Sequence, residues 1–153
     1  MPLVSLFDLP PRGALLGLDP GAKTVGVAAC DPGRIIASPL ETIPRGKKLA
    51  PVLTRLFALY DGRSCAGLVM GLPVNMNGTE GPRAQSARAL VRSIIERRDI
   101  PVALWDERLS TAAVERAMIA ADTSRARREE MIDKLAAAWI LQGAIDRLHE
   151  HKA

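Results

Sequence analysis

An aspartate at the end of an apolar strand, followed at once by Pro-Gly, constrains this chain more than any other feature. Residues 15–29 read Leu-Leu-Gly-Leu-Asp-Pro-Gly-Ala-Lys-Thr-Val-Gly-Val-Ala-Ala. The apolar run with β-branched Val25 and Val27 predicts two strands. Pro20-Gly21 predicts the tight turn that joins them. Asp19 therefore sits where the first strand ends. An acidic side chain is seldom buried without a compensating group, and a hard divalent cation with oxygen ligands is one such group. The competing reading is that Asp19 only caps the turn.

The 153 residues suit one domain with a real core. An apolar share of 48% and a charged share of 25% exclude a disordered chain. The net charge of +4 permits a nucleic-acid partner without requiring one. Cys30 and Cys65 form no Cys-x-x-Cys pair, which argues against structural zinc and for reduced thiols in a cytoplasmic protein. No stretch has transmembrane length without a charge, and the first residues lack the pattern of a signal peptide. With 3% aromatic residues there is no stacking platform for single strands. P-loop, dinucleotide-binding, Gly-x-Ser-x-Gly and His-Glu-x-x-His patterns are missing.

Taken in order, residues 1–13 read as a flexible lead-in, 14–148 as a single domain and 149–153 as a frayed tail. Strands are expected at 14–18, 24–29 and 34–39, forming a meander. Apolar spacing predicts a helix over 47–60. The run Ala-Gly-Leu-Val-Met-Gly at 66–71 predicts a central strand buried on both faces. A long loop, 72–81, carries Asn75 and Asn77. A helix over 82–98 and a strand over 101–105 follow, then Asp106-Glu107-Arg108 at that strand's exit. Thr111 is expected to cap a further helix. The charged stretch 122–130 reads as a connector, and the last helix begins near Glu130, with Asp133 in its first turns and Ala136-Ala137-Ala138 behind it. Small residues there let the helix backbone approach the sheet.

Asp19 and Glu107 both fall at carboxyl ends of strands, which share one edge if helical crossovers make those strands parallel. Asp133 begins a helix able to cover that edge. Three converging carboxylates repel unless protons or cations compensate. Divalent ions in such a site activate water and stabilise a leaving oxygen in phosphodiester cleavage. Each residue also has a plain alternative: Glu107 paired with a neighbouring arginine, Asp133 favouring a helix amino end, Lys23 an ordinary turn lysine, Asn75 and Asn77 turn formers. Arg108, Arg125, Arg127 and Arg128 are candidate phosphate contacts or a solvated charge run.

Four blocks carry a family resemblance. They are Leu-Gly-Leu-Asp-Pro-Gly-Ala-Lys-Thr-Val-Gly-Val-Ala at 16–28, Gly-Leu-Pro-Val-Asn-Met-Asn-Gly-Thr-Glu-Gly at 71–81, Leu-Trp-Asp-Glu-Arg-Leu-Ser-Thr at 104–111 and Ile-Asp-Lys-Leu-Ala-Ala-Ala-Trp-Ile-Leu-Gln at 132–142. In this order they resemble the bacterial YqgF family, described as Holliday-junction-resolvase-like and as pre-16S ribosomal RNA nucleases. The resemblance implies an α/β, ribonuclease-H-like fold with a five-stranded mixed sheet flanked by helices. It also implies Asp19, Glu107 and Asp133 as acidic active-site residues, and Mg²⁺ or Mn²⁺ as cofactor. Two departures stand out. Related resolvases carry a carboxylate at the exit of the central strand, where this chain has Gly71-Leu72-Pro73, and Thr24 stands where the family often has Arg.

The expectation is a cytoplasmic, metal-dependent nuclease acting in ribosome biogenesis, at the 5′ end of the small-subunit ribosomal RNA precursor. Lys23, Asn75, Asn77, Arg108, Arg125, Arg127 and Arg128 would meet the substrate backbone. Structured RNA is the expected partner, with the protein a monomer or weak homodimer. The rivals are cleavage of branched DNA, a nucleotide phosphotransferase, and a non-catalytic nucleic-acid-binding assembly protein.

Overall fold

The computed structural model describes residues 3–21, 23–109 and 125–152, with side chains at 109, 125–133 and 152 outside that description. Its centre is a six-stranded mixed sheet, ordered β1-β6-β5-β2-β3-β4. The strands are β1 Leu3–Val4, β2 Ala14–Pro20, β3 Thr24–Cys30, β4 Ala37–Pro44, β5 Cys65–Leu72 and β6 Val102–Asp106. β2, β5 and β6 are mutually parallel and β2, β3 and β4 antiparallel. The helices are α1 Ala50–Gly62, α2 Pro82–Arg97 and α3 Arg125–Lys152. No helix among the described residues is long and apolar enough to cross a membrane.

Strand alternation sorts the core into two layers. Leu16, Leu18, Leu68 and Met70 point toward Leu53 and Leu56 of α1 and Leu90 and Ile94 of α2. Leu15, Val69, Ala103 and Trp105 point the other way, toward Ile140, Leu141 and Ile145 of α3. β2 and β5 lie between these layers, which is why both read as apolar runs.

The sixth strand corrects the expected five. β1 pairs in parallel with β6 through Leu3↔Val102 and Val4↔Ala103. Leu3 and Val4 thus dock on the sheet, with Leu6 and Leu9 buried behind them in sequence. Arg34 anchors them from across the molecule: its Nε donates to the Gly13 carbonyl (2.7 Å) and its Nη2 to that of Pro10 (2.6 Å). The expected tail is helical to Lys152, and His149 Nε2 donates to the Arg34 carbonyl at 2.6 Å.

The third strand begins at Ala37 instead of Arg34, because Asp31 Oδ1 accepts from Ile35 N and Ile36 N and prolongs the turn. α1 runs Ala50–Gly62 instead of 47–60, with Pro51 in its first turn, where a missing N–H costs least. α3 is helical from Arg125, so the described part of the expected 122–130 connector belongs to the helix. The helix expected after Thr111 lies outside the described residues.

The contact that sets α3 against the sheet is at Gly17. A Cβ built there would stand 2.7 Å from Leu141 Cβ and 3.2 Å from the Ala137 carbonyl oxygen. Gly17→Ala is expected to cost about 1–3 kcal/mol, the usual range for overpacking. Gly46→Ala, which meets nothing within 4 Å, should stay within about 0.5 kcal/mol of wild type. Urea denaturation of the two variants checks this, and equal stabilities would refute the close approach.

Candidate active site

Parallel pairing brings the exits of β2, β5 and β6 to one edge. The registers Leu18↔Met70, Gly71↔Trp105 and Leu72↔Asp106 put Asp19 level with Gly71 and Trp105. Side chains at these levels share the face that α3 covers, because Leu15 and Gly17 precede Asp19 at two-residue spacing. Asp19 is 0% exposed there. Glu107 follows β6 in a 3-10 turn, Glu107–Leu109, and is 8% exposed.

Gly71 explains how Glu107 reaches the β2 exit. A Cβ on Gly71 would lie 2.6 Å from Ile140 Cδ1, 3.2 Å from Glu107 Oε1 and 3.3 Å from the Leu18 carbonyl oxygen. The carboxylate of Glu107 therefore occupies space left by the missing side chain, beside the residue that precedes Asp19. The absence of an acid on the central strand and the presence of Glu107 on the next one are two parts of one arrangement.

Asp133 comes to this edge by helix direction. Ala137 lies over Gly17, while Gln142 Nε2 donates to the Ile35 carbonyl and His149 reaches Arg34, at the opposite end of the sheet. α3 thus runs antiparallel to β2. Four residues back from Ala137 is about 6 Å of helix, and two residues on from Gly17 is about 6.6 Å of strand. The Asp133 backbone is therefore level with Asp19; its side chain lies outside the described residues.

The other expected residues divide. Lys23 is exposed on the β2–β3 turn, which is closed by Gly21 N donating to Thr24 O at 2.8 Å. Arg108 is bidentate on Asp106, at 3.0 and 2.7 Å to Oδ2, and its guanidinium holds the Asp106 carboxyl below the usual range. The arginine beside Glu107 is thus engaged by Asp106, and Arg108 Nη1 also donates to the Asn75 carbonyl at 3.4 Å. Asn75 and Asn77 hold their own loop: Asn75 Nδ2 donates to Thr79 Oγ1 (3.0 Å), and Asn77 Oδ1 accepts from Thr79 N (3.1 Å) and Oγ1 (2.6 Å). Their turn-forming role is therefore directly visible. Arg125, Arg127 and Arg128 lie in the opening turns of α3, with side chains outside the described residues.

Sequence reading passed over two contributors. Gly17 is legible in retrospect, as a glycine two residues before the aspartate on the same strand face. Arg45 carries no such signal. It clamps the β2–β3 turn from the end of β4, with Nη1 donating to the Gly21 carbonyl (2.8 Å) and its backbone N to the Lys23 carbonyl (2.7 Å).

Asp19 and Glu107 offer only carboxylate oxygens, the donor set that Mg²⁺ and Mn²⁺ prefer. Both are buried at a strand edge beside a cradle that a Cβ would fill. These residues fit such an ion.

The family pattern for RuvX, described as Holliday junction resolvase, matches residues 13–147. A Rhodopseudomonas palustris (strain TIE-1) protein named "Putative pre-16S rRNA nuclease" is 58% identical over 149 residues, covering 97% of this chain and 92% of its own. Proteins of the same name from Bradyrhizobium sp. (strain BTAi1) and Rhodospirillum rubrum are 58% and 52% identical, over 91% and 99% of this chain and 86% and 97% of theirs. Among solved structures, Thermus thermophilus RuvC in complex with a Holliday junction substrate matches with a TM-score of 0.57 at 14% identity, over 90% of this chain and 96% of that one. That likeness gives the fold, which is ribonuclease-H-like as expected. The family pattern and the relatives give the kinship: the chain belongs to the RuvX, or YqgF, family of nucleases, hydrolases of phosphodiester bonds.

Proposed function

We propose that this protein is a divalent-metal-dependent nuclease that matures the 5′ end of the small-subunit ribosomal RNA precursor in the cytoplasm. The observation that carries the metal site is the wholly buried Asp19 at the β2 exit, with the Glu107 carboxylate set across Gly71 on the same edge. The substrate follows from the relatives' shared name.

Asp19, Glu107 and Asp133 would hold Mg²⁺ or Mn²⁺. When bound, such an ion supplies water activation and charge stabilisation at the scissile phosphate. The protein's own contribution is placement. Asp19 stands in β2, held by the sheet, Glu107 in the 3-10 turn that follows β6, and both are buried at the edge that α3 covers through its contact at Gly17. Lys23, exposed on the β2–β3 turn, provides positive charge suited to a phosphate backbone, and on the opposite rim Arg108 would add a contact from its ion pair with Asp106. Asn75 and Asn77 shape the loop that carries the Arg108 contact. In this reading, Arg125, Arg127 and Arg128 add phosphate contacts along the opening turns of α3.

Junction cleavage is the second reading, favoured by the family's description and by the RuvC fold likeness. The two are separated by incubating a precursor RNA fragment and a four-way DNA junction with Mg²⁺, Mn²⁺ or EDTA. Wild type is expected to cut the RNA only with metal. Asp19→Asn, Glu107→Gln and Asp133→Asn should each lose at least about 100-fold, the scale of removing a group that stabilises developing charge. Cutting confined to the junction would replace the RNA reading, and undiminished activity in the variants would remove these carboxylates from the mechanism.

Metal binding has its own readout. Mn²⁺ at 100 times its Kd should stabilise wild type by about 2.7 kcal/mol through mass action. Thermal unfolding of Asp19→Asn should show little of that gain. An equal gain in both proteins would place the ion elsewhere.

A further inference from the structure

A cavity of about 200 Å³ opens beside the carboxylate edge, on the other face of the sheet. Pro20, Gly21, Pro82, Arg83 and Ser86 line it. Pro20 is one residue beyond Asp19, about 3.8 Å along the backbone. Strand alternation turns it away from α3 and toward the layer of α1 and α2. The cavity thus begins where the carboxylate site ends, around the tip of β2.

Its size and lining select the occupant. Pockets that enclose free small ligands run to about 300–1,000 Å³, so this cavity is too small to enclose a separate nucleotide cofactor. One sugar–phosphate unit of a longer strand needs less room, since the rest of the strand stays outside. Two proline rings present apolar faces suited to a ribose, and Arg83 and Ser86 are the polar residues of the lining. A planar guanidinium is the side chain best matched to a phosphodiester.

The surrounding charge points the same way. Arg55, Arg88, Arg98, Arg108 and Arg147 form ion pairs with Glu41, Glu80, Asp61, Asp106 and Glu150. Lys23, Arg45 and Arg83, which surround the Gly21 turn, enter no ion pair among the described residues. Arg45 instead donates to the Gly21 carbonyl, holding the cavity wall. An anionic strand that delivers a phosphate to Asp19 meets this positive group as it leaves over the end of β2.

We infer that this cavity is a subsite for the nucleotide next to the cleaved phosphodiester, with Arg83 holding that nucleotide's phosphate and the Pro20 and Pro82 rings flanking its sugar. This rests on the nuclease reading of the carboxylate edge, and it assigns a substrate-binding role to Arg83 and Ser86.

The test is binding of full-length protein to a precursor RNA fragment in EDTA, followed by fluorescence anisotropy over a range of salt. Arg83→Ala should reduce the log–log salt slope by roughly 0.7–0.9 and weaken binding about fivefold at 0.1 M salt, the signature of one lost phosphate contact. Ser86→Trp fills the cavity without changing charge and should weaken binding to a similar degree. Arg63→Ala, an exposed arginine before β5 at the opposite end of the sheet, should leave affinity within twofold. Thermal melts identify any variant that fails to fold. Arg83→Ala and Ser86→Trp both binding like wild type would overturn the subsite. Loss in Arg83→Ala with none in Ser86→Trp would also overturn it, leaving only surface charge. Metal-dependent cleavage by wild type, scored in parallel, reports on the nuclease reading separately. A cleaving wild type whose two variants bind normally disproves the subsite alone, and a wild type that fails to cleave while both variants lose binding disproves the nuclease reading and leaves the cavity as an RNA-binding site with no scissile phosphate beside it.

Discussion

The close approach of α3 to the sheet governs the geometry of this protein. Gly17 lets the helix backbone near Ala137 lie against β2, and Gly71 leaves room for Ile140 and the Glu107 carboxylate. These glycines are used for the volume they omit, not for backbone freedom, since neither has a positive φ. Both sit on the α3 face of the two central strands, so a single helix rests on two bare patches. Packed interiors have little slack. A methyl group at either patch would press on the helix that carries Asp133, and one at Gly71 would also crowd the carboxylate of Glu107.

The same contact accounts for the electrostatics of the edge. Burial of acidic groups is costly, and among the described residues it is confined to one place, the exits of three parallel strands beneath a helix. Around that place the arginines are distributed with purpose. Arg108 is engaged with Asp106 and the loop carbonyl of Asn75, so it braces the rim. Arg45 braces the opposite side through the Gly21 carbonyl. Lys23 remains exposed on the turn between them and the solvent. The carboxylates thus lie on a floor fixed by hydrogen bonds and packing, with positive charge on the rim, where an anionic backbone would pass.

Some departures from the sequence reading share a cause. Arg34 links residues 10 and 13 to the turn after β3, and His149 links the end of α3 to the same turn. Polar residues in a chain's terminal stretches read as loose because nothing local holds them. Their partners are more than twenty residues away in one case and more than a hundred in the other. The start of β4 has a local cause instead: the Asp31 side chain competes for the backbone N–H groups of Ile35 and Ile36 that a strand would have used.

What the sequence by itself determined is local. It established the strand-turn-strand around Asp19, the doubly buried run of β5, the amphipathic helices and the placing of Asp19 and Glu107 at strand exits. Each of these follows from periodicity and turn chemistry within about fifteen residues. Tertiary structure decided which exits share an edge, and that Glu107 lies across Gly71. It also decided that Arg108 belongs to Asp106, that α3 runs antiparallel to β2, and that Arg45 and Arg83 meet at the Gly21 turn. These facts depend on strand order and on the distance between elements. No pattern within one segment carries that information, because it exists only once the segments have packed.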